Sequence, residues 1–286
     1  VRETIIGVFA VVVLIVSVLS FMLMRLTIGD VSNKGESQRA VTAAVAQLQV
    51  EGLRIERWLA EQTLSDELVE PFKISATEAR GNEATARANG VEEASKNSPV
   101  FASVRPTLIL LFDKAGVVLG RNGTKLMRGE KLGERHPHTL KEVLAGRTGS
   151  AVWVDKSNNE QLLASYAPIR DGDEVVGGIV IGTAFSDERL ESASNATSEL
   201  GLFAAVKRDG KMVVVARSSK VTDEMLDASL PGTEAALGND QVVGINDLPE
   251  DLDGAARTLA GYGTGNDAII ASVTKAETVG SFGSLF

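Results

Sequence analysis

Ile5 to Met24 (IIGVFAVVVLIVSVLSFMLM) carries no charged residue. At 1.5 Å rise per residue such a run spans about 30 Å, the thickness of a hydrocarbon core. A cleaved signal peptide has a shorter apolar core that ends in small residues. This run ends in Phe-Met-Leu-Met before Arg25, which predicts an uncleaved transmembrane anchor over residues 1–28. Beyond it the pattern becomes helical and amphipathic. Val41, Val45, Leu48, Gly52, Ile55 and Leu59 recur every three or four positions, with Trp58 beside them. This stripe predicts a long helix leaving the membrane. It suits a helix packed on its own domain and a helix–helix contact between two copies equally. Residues 75–98 are polar, rich in Ala and Glu, and nearly without large apolar side chains. They predict an exposed helix or helix-loop rather than core. Residues 29–106 are thus expected to hold a long helix and a helical insert.

The pattern then turns to strands. Leu108–Phe112 is a continuous apolar run, Asp113-Lys114-Ala115-Gly116 a tight turn, and Val117–Arg121 a returning strand. His136-Pro137-His138 opens a short helix, with Pro in its first turn and Gly146 past its end. Ser150–Val154, Gln161–Ile169 and Val175–Phe185 complete a set of five strands, the last two joined at Arg170–Asp173. The order recurs: a strand at Phe203–Lys207, a turn at Arg208–Lys211, and a strand at Met212–Ala216. After a helical region come a strand at Arg257–Tyr262, a turn at Gly263–Asn266 and a strand at Ala268–Val273. The turn glycines Gly116 and Gly172 lie 56 positions apart, and Gly210 and Gly265 lie 55 apart. Two copies of one α+β module follow, at 107–198 and 199–275, each with a five-stranded antiparallel sheet. The middle strand of the second, at Gln241–Ile245, has the weakest pattern. Residues 276–286 read as a C-terminal stub.

Charge and composition narrow the chemistry. Lys and Arg number 29 against 38 Asp and Glu, a net charge of −9. That excludes a nucleic-acid backbone binder, which needs a basic face. With no Cys and two His, disulfide scaffolds, thiolate metal sites and Cys nucleophiles are excluded. No catalytic set, cofactor or metal is expected. Glu134, His136 and His138 have metal-ligand chemistry, but two His flanking a Pro at a helix start rarely face one ion, so capping is expected. Between Val221 and Gly254 stand nine Asp or Glu and no Lys or Arg. With Gly254 at the sixth position of a calcium loop, the first and twelfth positions fall on Pro249 and Ala260. The calcium-loop pattern fails there, and a solvated acidic face is expected.

Four residues stand out as candidate ligand contacts. Trp153 and Tyr166 lie on central strands of the first module and join an apolar body to a donor. Arg121 ends the second strand and has the fork that meets a carboxylate. His138 lies at the start of the short helix.

The segments LILLFDKAGVVLGR (108–121), HPHTLKEVLAGRTG (136–149) and LLASYAPIRDGDEVVGGIVIG (162–182) resemble the double Cache sensors of bacterial transmembrane receptors. Those sensors share a D-x-x-G hairpin, a helix ending in Gly, and an "a-Pi" strand before a V-G-x-V strand. The resemblance covers about residues 31–275. It implies an α+β architecture of a transmembrane helix, a long helix and two PAS-like antiparallel-sheet modules in tandem. It also implies the extracytoplasmic ligand-sensing region of a chemoreceptor, sensor kinase or cyclase. Such a region sits in the bacterial inner membrane by a single pass, with residues from about 30 onward outside. The expected partners are a small molecule held by the first module and a second copy docked through the long helix. The alternative is an anchored periplasmic module that docks a protein and binds no small ligand.

Overall fold

In the computed structural model the described residues are 35–155, 160–197, 200–259 and 268–276. The expected membrane anchor, the turn at Gly263–Asn266 and the C-terminal stub lie outside them. Among the described residues no helix is long and apolar enough to cross a membrane.

A long helix, α1, occupies residues 35–62 and rises about 42 Å at 1.5 Å per residue. A short helix, α2 (Glu70–Lys73), and a twenty-residue helix, α3 (Thr77–Lys96), lead to the first sheet. Its strands are β1 (Pro106–Asp113), β2 (Val118–Arg121), β3 (Gly149–Asp155), β4 (Glu160–Asp171) and β5 (Glu174–Ala184), with α4 (Leu132–Arg135) and α5 (Pro137–Leu144) between β2 and β3. They lie in the order β2-β1-β5-β4-β3, every neighbouring pair antiparallel. Helix α6 (Asp187–Ala196) connects to the second sheet. That sheet consists of β6 (Gly201–Arg208), β7 (Lys211–Arg217), β8 (Val243–Gly244), β9 (Leu252–Thr258) and β10 (Ala268–Lys275), with α7 (Asp223–Ser229) before β8. Its order, β7-β6-β10-β9-β8, repeats the first strand for strand, as the spacing of the turn glycines predicts.

The turns show why those glycines are there. Asp113 accepts hydrogen bonds from the backbone N–H of Ala115 and Val117, and Gly116 takes φ +77°. At the matching hairpin of the second sheet Asp209 and Gly210 take φ +48° and +77°. A two-residue turn such as Asp209-Gly210 with positive φ at both central positions suits Asp, which tolerates it, and Gly, which adopts it freely.

The stripe on α1 is buried against the chain's own two sheets. Val41, Val45 and Leu48 join Leu202, Ala204 and Ile270 of the second sheet. Ile55 and Leu59 join Ile109, Ile179 and Ile181 of the first. Trp58 meets Phe101 edge-on at 5.0 Å between ring centroids.

Three expectations from sequence change. Residues 75–98 are part of the core rather than an exposed insert. Helix α3 turns Gly81, Ala84, Ala88, Val91 and Ser95 inward, beside α1 on the same face of the first sheet. Small side chains let the two backbones approach closely, so burial does not need large apolar residues. A Cβ added at Gly120 of β2 would lie 2.6 Å from the Thr85 backbone nitrogen. The strand expected at Arg257–Tyr262 begins earlier, as Leu252–Thr258, and positions 260–262 of the expected range lie outside the described residues. Its polar start is retained because Asp253 pairs with Thr274 across the ladder and accepts a hydrogen bond from Ser37 of α1 at 3.0 Å. The expected strand at Gln241–Ile245 is the two-residue β8.

This packing predicts opposite signs for two glycine substitutions. Gly120→Ala should destabilise the protein by about 1–3 kcal/mol, the cost of overpacking. Gly90→Ala, in the interior of α3 with nothing within 4 Å of the new methyl, should stabilise it by about 0.5–1 kcal/mol. Urea unfolding of the two variants checks both.

Candidate functional site

The face of the first sheet turned away from α1 and α3 carries the sequence-derived candidates. Side chains paired across antiparallel strands point to the same face. One row runs Trp153–Leu162–Ala184 and another Gly149–Tyr166–Val180–Leu110–Arg121. Between them lie Ala151, Ala164 and Gly182. The result is a floor of small residues with an aromatic on either side. Gly182 keeps it low, since a Cβ there would come within 2.8 Å of Leu162 Cδ1. Helix α5 covers this face, with Val143 fully buried in the same apolar cluster as Trp153 and Tyr166.

Trp153 is 4% exposed. Its indole Nε1–H donates to Thr139 Oγ at 3.1 Å, and its ring stacks on His136 at 3.7 Å and 5°. Pro137 in the first turn of α5 places His136 at the N-cap, from which its ring reaches the indole. Tyr166 is also buried. Its hydroxyl lies over Gly149, where a Cβ would be only 2.7 Å away. Burial pushes the Tyr166 phenol up to about 12; the Glu142 and Glu56 carboxylates add to the shift and Arg147 opposes it. Arg147 donates to Glu142 twice, at 2.5 and 2.8 Å. Those bonds hold the Glu142 carboxyl below the usual range.

The four candidates do not converge on one point. Trp153 and Tyr166 share the β3–β4 side of the face. Arg121 shares the Tyr166 row but lies three strand spacings away, about 14 Å, and the Tyr166 ring leans the other way, over Gly149. The Arg121 guanidinium has Met127 Sδ at 3.7 Å, and Met127 takes φ +64°, a left-handed conformation costly for a non-glycine residue. His138 is exposed on α5. The sequence places His136 in the cap of α5 and names His138, not His136 or Thr139, among the four candidate contacts. The signal was Pro137, which fixes the residue before it at the helix entrance.

A concavity of about 720 Å³ opens between α6 and the end of β7. Two of the acids that line it are engaged within the chain. Asp187 accepts from the Arg217 backbone N–H at 2.9 Å, and Glu191 accepts from the Ser219 N–H and hydroxyl at 2.6 and 3.0 Å. The acidic tract is largely solvated, with Asp247, Glu250 and Asp251 exposed.

Comparison with known proteins identifies the architecture. No protein-family model matches the sequence, and no curated protein matches it. Solved structures do match. The sensor domain of the histidine kinase DctB from V. cholerae aligns over 87% of this chain and 98% of its own, at TM-score 0.51 and 14% identity. The extracellular domain of vpHK1S-Z8, assigned as a histidine kinase, aligns over 88% of this chain and 94% of its own, at TM-score 0.54 and 12% identity. The sensory domain of the chemoreceptor Tlp3 from Campylobacter jejuni, solved with isoleucine bound, aligns over 88% and 96% at TM-score 0.44 and 12% identity. The chain shares the fold of the DctB sensor domain and of the vpHK1S-Z8 extracellular domain.

The Tyr166 environment yields a prediction. In a Tyr262→Phe variant Tyr166 is the remaining phenol. Ultraviolet titration should find its midpoint near 12, not at the ordinary value of about 10. The folded state keeps a proton that the unfolded chain has released. Its contribution to stability should therefore be complete below about pH 10 and be lost as pH rises through about 12.

Proposed function

We propose that this chain, with its sensor-domain fold, is the extracytoplasmic ligand-sensing region of a bacterial membrane receptor. A small molecule would bind on the α5 side of the first sheet against Trp153 and Tyr166, and α1 would carry the change to the membrane. The observation that carries this reading is the one helix backing both sheets. The path between the two faces is one strand thick. Trp153 and Tyr166 face α5, while their chain neighbours Val152 and Ser165 face the helix. Val152 joins the cluster of Leu48. Ser165 is hydrogen-bonded to Ser150, which donates to Glu56 of α1 at 2.6 Å. The lower-numbered half of α1 lies on the second sheet, so the Ile5–Met24 segment would place that sheet nearer the membrane and the first sheet outermost. His138 and Arg121 would then act at the rim, if at all through longer contacts than the two aromatics.

A second copy has a surface to meet. With one stripe of α1 spent on its own sheets, Ala43, Ala46, Val50 and Leu53 recur at three-four-three spacing on its exposed side, with Val50 47% and Leu53 61% exposed. That spacing suits a helix–helix homodimer.

The alternative is a docking module without a small ligand. The close packing of Trp153 against His136 and Thr139 favours it, since the indole is already satisfied.

Two measurements decide. A thermal-shift screen of the purified 286-residue chain against amino acids, organic acids, amines and nucleobases should find a stabilising compound. At a hundredfold excess over Kd it should add about 2.7 kcal/mol, and Trp153→Ala or Tyr166→Ala should abolish the effect in folded protein. A flat screen favours the docking module. Sedimentation should show a dimer that Leu53→Arg converts to monomer without loss of helicity; an unchanged sedimentation coefficient would remove α1 as the dimer contact.

A further inference from the structure

Helix α1 passes from one apolar cluster to the other between Leu48, its last residue in the cluster that joins the second sheet to Val152 and Leu163 of the first, and Ile55, its first in the cluster shared with α3. At this seam it presents Glu51, and Glu51 meets Arg189 at 2.6 Å. Arg189 stands in the first turn of α6, the connector between the sheets, and its side chain is 5% exposed. Its other terminal nitrogen donates to the Ala184 carbonyl at 3.1 Å, to the Thr183 carbonyl at 3.4 Å and to the Thr183 hydroxyl at 3.3 Å. The guanidinium carbon lies 5.1 Å from the Phe185 ring centroid. One side chain therefore ties the end of β5, the middle of α1 and the start of the second half of the chain.

A buried ion pair is a poor way to gain stability, because desolvation offsets most of the attraction; an apolar pair of similar volume often does better. What it supplies is a single register. Apolar helix–sheet contacts tolerate an axial shift of one turn, about 5.4 Å. Arg189 does not: one turn before Glu51 stands Gln47, and one turn after it stands Ile55. Neither is a carboxylate. The lock also touches the candidate site, since Ala184, whose carbonyl Arg189 holds, lies in the cross-strand row of Trp153 and Leu162.

We propose that the Arg189–Glu51 pair is a register lock that fixes α1 at one axial position against both sheets, and through which a displacement of the Trp153 row acts on the helix. The coupling to a ligand rests on the sensor reading; the lock itself does not.

The chain has no Cys, so spin labels can be placed singly. Arg54→Cys on α1 can be paired with Asp173→Cys on the first sheet, or with Lys211→Cys on the second; all three positions are exposed. Pulsed electron resonance on the labelled 286-residue chain, diluted with excess unlabelled chain so that only distances within one protomer are read, should give one narrow distance per pair. Adding Glu51→Gln or Arg189→Met should produce a second population displaced by about 5 Å, one helical turn. The exposed pair Arg57–Glu61 supplies the control, and Arg57→Gln should change neither distance. Should Arg189→Met fail to fold, the milder Glu51→Gln decides. Unchanged distances in folded Glu51→Gln would overturn the lock. A chain that gives the second population but is flat in the ligand screen keeps the lock and loses the sensor reading.

Discussion

Burial of one helix stripe against two separate sheets is the contact on which the rest of the molecule depends. Each sheet has two apolar faces, and the short helices of each half cover only part of them. Helix α1 closes one face of the second sheet with Val41, Val45 and Leu48 and helps α3 close one face of the first with Ile55 and Leu59. At about 1.5–3 kcal/mol for each fully buried aliphatic side chain, these five contribute on the order of 10 kcal/mol, an upper estimate. That is comparable to the whole net stability of a typical domain. Neither sheet can move far on its own without exposing part of this stripe.

The shared helix also sets where chemistry can be placed. One face of the first sheet is committed to α1 and α3, and the other lies beneath α5. There the strand alternation brings Trp153 and Tyr166 to one side, with a floor of Ala151, Ala164 and Gly182 between them. The polar contacts on the helix side answer from the neighbouring positions: Ser150 and Ser165 to Glu56, and Thr183 with Ala184 to Arg189. A change of a few tenths of an ångström at the α5 face has no soft layer in which to dissipate, because packed interiors transmit strain.

The two halves use one topology for different ends. Both sheets have the same strand order, yet the second fills its outer face with Phe203, Met225, Ile245 and Ile269 and has no tryptophan or stacked histidine among its described residues. Its acidic residues lie outside, or, as with Asp253 and Ser37, fasten α1.

Much of this was legible in the sequence where local chemistry demands one conformation. Gly116 and Gly210 mark their hairpins because those turns require positive φ, and Pro137 marks the entrance of α5. The stripe of α1 is visible because its residues are large and periodic. The stripe of α3 has the same spacing, at Gly81, Ala84, Ala88, Val91 and Ser95, but small side chains carry little hydropathy, and so a core helix reads as an exposed one. Polar residues at the start of β9 concealed that strand, because cross-strand partners and Ser37 satisfy them from positions distant in sequence. Which histidine reaches Trp153, which side of α1 remains uncovered, and that Glu51 meets Arg189 were decided by tertiary structure alone. Each depends on how far an element is rotated against a partner up to 138 residues away, and periodicity fixes which residues share a face but not what that face meets.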